Sequence, residues 1–394
     1  MINTPNGNRP HIALYGKTNA GKSSVLNGIV GQNMSLVSDI PGTTTDPVTK
    51  AMELIPYGPV LFIDTAGIFD DSSLGKLRTD RTYEVLRKTD LALYVVDGTD
   101  DEIKAFEEWK INFKKYNIPY ILVINKIDII AENKMEEFKS DYKEACFVSA
   151  KNHEGFEILI KNIIEKLETF DDEPSLLGDI LQYGDKVIMV VPIDSEAPKG
   201  RIILPQVQCI RDSLDNGIKT YIMRDTELES GLRDIENINL VITDSQAFKK
   251  VNKIVPKDIN LTSFSILFAR QKGDLQSFVA GAEAVKNLKP GDRVLISESC
   301  SHNVSHEDIG RVKIPKLLNR YVGGELKYDY RVGHDFPEEI EKYSLIIHCG
   351  GCMINRKTII NRIEFCKKKQ VPITNYGVII AFLTGILDRA VKIY

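Results

Sequence analysis

Two groups of residues with the spacing of binding chemistry stand near opposite ends of this 394-residue chain. The first is the run GKTNAGKS, in which Gly16, Gly21, Lys22 and Ser23 follow the apolar run IALY and open a helix-like stretch. That setting suits a phosphate-cradling loop, because the glycines let backbone N–H groups approach phosphate and the helix N-terminus adds partial positive charge. Lys22 is expected to reach the β- and γ-phosphates and the Ser23 hydroxyl to ligate Mg²⁺, with Ala20 and Ser24 completing the nucleotide-binding run. The second group is Cys300-Ser301-His302 with His348-Cys349-Gly350-Gly351-Cys352. Its soft thiolates and imidazoles are the donors of a metal or cluster site.

The base of the nucleotide is specified further along. Asn125-Lys126-x-Asp128 ends the apolar run YILVIN. A carboxylate there can accept two hydrogen bonds from the guanine N1–H and exocyclic amine, a donor pair that adenine lacks. Ser149, Ala150 and Lys151 follow the next apolar run and suit a backbone contact to the guanine oxygen. Asp64-Thr65-Ala66-Gly67 ends the run VLFID; Asp64 is placed to hold Mg²⁺ through water and Gly67 to sense the γ-phosphate.

At the other end, Cys349 and Cys352 are spaced so that a Gly-Gly turn can aim both thiolates at one centre, and Cys300 lies 49 positions earlier, after its own strand-like run. Read locally, the set fits three outcomes. One is a [4Fe–4S] cluster on three cysteines, with His302, Glu307 or His348 at the fourth position. Another is structural zinc, Cys3His. The third is a set of buried cysteines and no metal.

Positioning these residues requires parallel sheets. Over the first 165 residues or so, short Val/Ile/Leu-rich runs alternate with helix-like stretches, the pattern of strands buried on both faces and wrapped by helices. TFDDEPSLLG (169–178) reads as a linker. A second alternation runs from 186 to the C-terminus, with strands expected at 186–194, 218–223, 239–244, 292–299, 344–349 and 371–376. Helices are expected near 200–215, 274–287, 355–369 and 377–388. Three α/β parts follow: 1–170, 179–260 and 261–394. The net charge of −4, with no Lys/Arg-rich tract, argues against nucleic acid as a partner. The apolar runs are too short for a membrane helix, and the N-terminal residues lack a signal-peptide pattern, so a cytoplasmic location is expected. In that reducing setting the six cysteines are not read as disulfides; Cys146, Cys209 and Cys366 are expected to be buried as small apolar residues.

Pro41-Gly42-Thr43-Thr44-Thr45-Asp46 joins the motifs above in the order and spacing that resemble GTPases of the TrmE–Era type. The resemblance implies a Ras-like P-loop domain that hydrolyses GTP to GDP and phosphate, with Thr44 as a second Mg²⁺ ligand. Where a catalytic glutamine stands in Ras-like GTPases, this chain reads Gly67-Ile68-Phe69. Slow hydrolysis is therefore expected, resting on Lys22 and Thr44. Asn19 is assigned either to a bound K⁺, as the resemblance implies, or to fixing the loop. With such a domain in front, Cys-x-His followed by His-Cys-x-x-Cys resembles the F-type maturation GTPase of [FeFe]-hydrogenase. That resemblance spans the whole chain and favours the [4Fe–4S] cluster on Cys300, Cys349 and Cys352. It implies a central dimerisation domain, a homodimer with higher oligomers open, and a C-terminal cluster domain. A scaffold of this kind receives a diiron precursor from radical-SAM maturases and delivers it to apo-hydrogenase. The competing expectation is an RNA-modification or ribosome-associated GTPase with structural zinc.

Overall fold

The apolar runs of the first half do form strands. In the computed structural model, which describes residues 6–31, 36–40, 48–65, 84–100, 103–170, 174–193, 200, 202–298, 308–333, 335–351 and 354–394, the chain divides into two units, Met1–Asp172 and Glu173–Tyr394. The first holds β1 (His11–Tyr15), β2 (Leu36–Ile40), β3 (Val48–Leu54), β4 (Gly58–Asp64), β5 (Leu91–Asp97), β6 (Tyr120–Asn125) and β7 (Cys146–Phe147). These make one sheet in the order β2-β3-β4-β1-β5-β6-β7. Strands β4, β1, β5, β6 and β7 run parallel, while β2 and β3 join antiparallel at one edge. All of β1 is buried, as are the first six residues of β5, because helices cover both faces. Helix Lys22–Val30 packs on helix Phe156–Phe170 so closely that a Cβ at Gly28 would stand 2.2 Å from the Phe156 ring.

The second unit contains two wholly parallel four-stranded sheets. One takes β8 (Lys186–Val190), β9 (Lys219–Met223), β10 (Leu240–Thr243) and β11 (Asn260–Ser263) in the order β11-β10-β8-β9. The other takes β12 (Arg293–Glu298), β13 (Lys327–Val332), β14 (Leu345–His348) and β15 (Ile373–Asn375) in the order β13-β12-β14-β15. A shared core runs through both, from Ile188 and Val241 to Ile296, Ile347 and Ile380. Residue 260, expected from the sequence to end the middle part, begins β11, which hydrogen-bonds to β10.

Several elements differ from expectation for identifiable reasons. β2, β3 and β13 (LVSDI, VTKAMEL and KYDYRV) carry no unbroken apolar run and are edge or near-edge strands. Residues 261–270 (LTSFSILFAR) divide between β11 and helix Phe264–Lys272, capped by the Ser263 hydroxyl. The stretch expected over 377–388 breaks into Tyr376–Leu383 and Leu387–Val391 around Gly385, whose φ is 72°. The linker reading holds only in part: helix Phe156–Phe170 runs into it, and Leu176 and Leu177 are core residues whose backbone N–H groups bond the Asp212 carboxylate. Cys146, Cys209 and Cys366 are free and buried, as expected. No helix among the described residues is long and apolar enough to cross a membrane.

Helix Leu275–Glu283 lies directly on β15. A Cβ at Gly281 would be 1.9 Å from the Ile373 carbonyl oxygen, and backbone cannot yield as a side chain can. Gly281→Ala should therefore lower stability by about 2 kcal/mol through overpacking. A urea unfolding curve of the full chain checks this, since an unchanged midpoint for the C-terminal unit would contradict the packing described.

Candidate functional site

The nucleotide residues gather at the C-terminal ends of adjacent parallel strands, where α/β sheets place ligands. Gly16 leaves β1, Asp64 ends β4, Asp97 ends β5, Asn125 ends β6 and Ser149 follows β7. Gly16 has φ 132° and Gly21 φ 90°, conformations that L side chains rarely adopt. A Cβ at Gly16 would also meet the Val95 carbonyl oxygen at 2.1 Å. Lys22 is buried, and its Nζ donates to the carbonyl oxygens of Gly16 (2.8 Å) and Lys17 (2.7 Å), so the ammonium is held inside the curl of the loop. Ser23 Oγ donates to Asp64 Oδ2 at 2.6 Å, which brings together the hydroxyl and the carboxylate expected to serve Mg²⁺. Ala20 is buried under the loop and Ser24 is exposed in the first turn of the helix. Asn19 is exposed with φ 66°, a left-handed conformation that asparagine tolerates better than most residues. That conformation is compatible with either role expected for Asn19.

The base-recognition residues are linked to this loop by Asn125. The Asn125 Nδ2 donates to the Ala20 carbonyl (3.0 Å), and its Oδ1 accepts from the Ala150 N–H (3.2 Å). One buried amide therefore joins the phosphate loop to the segment carrying Ser149, Ala150 and Lys151. Ser149 Oγ donates to Asp128 Oδ1 at 2.7 Å, and Lys151 Nζ lies 4.0 Å from Asp128 Oδ2. Asp128 is thereby oriented with its carboxylate still able to accept. Lys126, with φ 65°, pairs with Asp97. Burial pushes the Asp97 carboxyl up, but hydrogen bonds from Lys126 and Thr99 outweigh it and hold the group below the usual carboxylate range. This Asp97–Lys126 pair was not read from the sequence, since nothing but the β5–β6 pairing brings the two together.

In the C-terminal unit the same edge rule operates on β13-β12-β14-β15. The register sets Ser297 beside His348 and His348 beside Asn375, and the Cys349 N–H continues the ladder to the Ser297 carbonyl (2.9 Å). Cys349 thus leaves β14 at the rim, partly exposed. Gly351 has φ 68°, as the turn between the two cysteines requires; a Cβ at Gly350 would meet nothing within 4 Å, so only the second glycine is conformationally demanded. Lys272 is buried beneath this turn, and its Nζ donates to the carbonyl oxygens of Gly351 and Ile354, both at 3.3 Å. His348 is buried with both ring nitrogens engaged: Nδ1 lies 2.7 Å from the Cys349 carbonyl and Nε2 2.7 Å from Arg362 Nη1. Desolvation first, and then the Arg362 charge, lower its pKa to about 3, so the ring is neutral, donating at Nδ1 and accepting at Nε2. In this arrangement His348 orients the Cys349 backbone rather than presenting a lone pair at the rim.

Glu298, at the end of β12, forms a two-pronged pair with Arg311 (2.8 and 3.1 Å), which stands just beyond the cysteine-bearing segment. The chain re-enters after that segment as a single π-helical turn, Ile309–Lys313, capped by Asp308. Tyr376 leaves β15 beside Cys349. Its hydroxyl is buried and has no hydrogen-bond partner among the described residues. Burial, followed by the charges of Cys349, Glu298 and Asp308, pushes that hydroxyl well above its usual pKa. Thr44, Gly67, Cys300, His302, Glu307 and Cys352 lie outside the described residues. Among the described residues no group of three His, Cys, Asp or Glu side chains forms a metal site.

Comparison with known proteins supplies the context for both edges. Residues 276–393 match the model of the hydrogen maturase F tetramerization domain, residues 176–273 that of the hydrogen maturase F dimerization domain, and residues 11–126 that of the 50S ribosome-binding GTPase family. GTPase Era of a Thermoanaerobacter species is 27% identical over 270 residues, covering 63% of this chain and 84% of that protein. GTPase Der of Wolinella succinogenes is 36% identical over 180 residues, covering 40% of this chain and 36% of Der. Among solved structures, Aquifex aeolicus Era bound to GDP.AlF4⁻ aligns at 21% identity over 55% of this chain and 94% of Era, with a TM-score of 0.32.

Because Asn125 is the buried amide joining two loops, Asn125→Ala should leave the Ala150 N–H unpaired at the cost of about 1–3 kcal/mol, weakening GTP binding roughly tenfold or more. Titration with a fluorescent GTP analogue checks this, and an unchanged Kd would contradict the bracing role.

Proposed function

The chain belongs to the hydrogen maturase F family, self-associating maturases with an Era/TrmE-like domain that hydrolyses GTP, and we propose that it carries an iron–sulfur cluster on Cys300, Cys349 and Cys352. On this reading it receives a diiron precursor from radical-SAM maturases and passes it to apo-[FeFe]-hydrogenase. The observation that carries the proposal is the placement of Cys349. It sits at the rim of a parallel sheet, next to the strand whose continuation bears Cys300, on a Gly351 turn that leads to Cys352. The donors suit the group, for three soft thiolates from two loops are iron–sulfur ligands. When bound, a three-cysteine cluster offers one iron with an exchangeable position, as a carrier requires. The fourth position is assigned to His302 or Glu307, because both nitrogens of His348 are engaged.

Lys22 and the loop backbone hold the GTP phosphates, Ser23 and Thr44 ligate Mg²⁺ with Asp64 behind Ser23, and Asp128 selects guanine. Asn19 is the residue through which K⁺ would supply charge at the transition state. GTP state is proposed to bias partner docking through segments 35–46 and 67–82, much of which lies outside the described residues. Functionally the chain divides into a nucleotide part to about residue 170, a dimerising middle and a cluster part. We take the last joint to lie after helix Phe264–Lys272, a reading supported by the pairing of β11 with β10 and by the matched ranges 176–273 and 276–393. β9 pairs with β8 alone among the described strands, and its outer edge is where a second copy would extend the sheet.

Three outcomes test this reading. Cys349→Ala should keep GTP hydrolysis and abolish activation of apo-hydrogenase in a reconstituted maturation assay; full activation would refute the carrier role. Asp128→Asn, by removing a charge-assisted acceptor, should weaken GTP binding roughly 10- to 100-fold and leave the phosphate loop intact, as read by Kd for GTP and xanthosine triphosphate in parallel. Asn19→Ala should erase any difference in hydrolysis rate between KCl and NaCl, whereas a K⁺ effect surviving the substitution would assign Asn19 to loop geometry alone.

A further inference from the structure

Asp128 is the third residue of a turn that begins at Lys126, whose carbonyl accepts from the Ile129 N–H at 3.1 Å. Lys126 enters that turn at φ 65°, in the left-handed region that asparagine or aspartate can support with its own short side chain and lysine cannot. The first residue of the turn must therefore be held from outside, and the end of β5 does this twice. The Gly98 N–H donates to the Asn125 carbonyl at 2.9 Å, and a Cβ at Gly98 would stand 2.9 Å from that same oxygen, so the two segments are pressed together just before the turn. One residue earlier, Asp97 Oδ2 accepts from the Lys126 ammonium. The Asp97 carboxylate is itself fixed, because Oδ1 accepts from the Thr99 N–H (3.0 Å) and from the Thr99 hydroxyl (2.7 Å), which leaves Oδ2 for the ammonium. The Thr99 carbonyl accepts in turn from Lys134 Nζ at 3.1 Å, tying this segment to helix Glu132–Asp141 beyond the turn. With the Asp97 side chain 16% and the Lys126 side chain 34% exposed, the pair is partly withdrawn from water, where a charge-assisted bond has more directing force than at an open surface. Ser149 Oγ holds Asp128 Oδ1 separately. The turn thus has one pin at its head and another at the acceptor it carries.

We propose that Asp97 is a positioning residue for guanine recognition: by holding Lys126 in its left-handed conformation, it aims the Asp128 carboxylate at the base. The inference rests on the assignment of Asp128 to guanine made above. Asp97 acts through Lys126 rather than on the nucleotide, so its removal loosens the aim of the acceptor while the acceptor itself stays in place. The effect falls on the bonds Asp128 makes to the base, and most on the bond from the exocyclic amine, which requires both carboxylate oxygens to face the ring edge.

The test titrates the full chain with GTP and with inosine triphosphate, which keeps the N1–H of guanine and lacks the exocyclic amine. The wild type should bind GTP more tightly by roughly tenfold, the worth of one hydrogen bond to a charged group. Asp97→Asn keeps an oxygen for Thr99 and removes only the charge that holds Lys126. It should weaken GTP binding roughly tenfold and inosine triphosphate binding much less, drawing the ratio of the two towards one. Thr99→Val leaves the ion pair in place and should keep the wild-type ratio. Lys126→Met should reproduce the effect of Asp97→Asn, and the double variant should lose nothing further. Equal losses for the two nucleotides in Asp97→Asn, or losses that add in the double variant, would overturn the positioning role. So would Thr99→Val lowering the ratio as far as Asp97→Asn does, since the turn at Thr99 and not the pair would then be the cause. A wild-type chain that binds GTP, inosine triphosphate and ATP equally would instead overturn the assignment of Asp128 to guanine, and this inference with it.

Discussion

Parallel strand alignment is the constraint on which both candidate sites depend. When neighbouring strands run the same way, every strand hands its next residue to the same rim, and loops distant in sequence converge without any direct contact between them. Gly16, Asp64, Asp97, Asn125 and Ser149 are spread over more than a hundred residues yet follow five adjacent strands in the order β4-β1-β5-β6-β7. Ser297, His348 and Asn375 are likewise consecutive partners across β12, β14 and β15. A register slip in either sheet would turn the rim residues to the opposite face. The packing of Gly28 on Phe156 and of Gly281 on Ile373 thus bears on chemistry as well as on stability.

At each rim the loops are held by polar side chains that bond to one another and to backbone groups. Asn125 ties the phosphate loop to the guanine segment, and Lys126 is paired with Asp97. Arg362 secures His348, which in turn holds the Cys349 carbonyl, while Lys272 supports the Gly351 turn from below. Burying such groups is costly unless each is hydrogen-bonded, so the gain must lie in fixing loop geometry before a ligand arrives.

The division between what could be read from the sequence and what could not follows from this arrangement. GKTNAGKS, NKID and SAK were legible because each motif is contiguous and sits where an apolar run stops. The strands of the C-terminal half were legible as Val/Ile/Leu runs for the same reason. KYDYRV was not, since its half-buried aromatic residues alternate with charges at a sheet edge. Lys272 and Arg362 belong to no motif; their roles come from tertiary contacts with the Gly351 turn and with His348. Tyr376 stood within a run expected to be strand, VPITNY, and nothing in its neighbours indicates that its hydroxyl lies beside Gly310. His348 was legible as part of His-Cys-x-x-Cys, but its two nitrogens take their roles from Arg362 and from the Cys349 backbone.

The central claim is that the rim of β13-β12-β14-β15 holds an iron–sulfur cluster, and metal identity tests it most directly. Full-length protein purified and reconstituted without oxygen should contain about four irons and four sulfides per chain, with an EPR signal on reduction typical of a [4Fe–4S] cluster. Stoichiometric zinc that iron does not displace would contradict the account, because a closed tetrahedral zinc site has no exchangeable position from which a diiron unit could be carried.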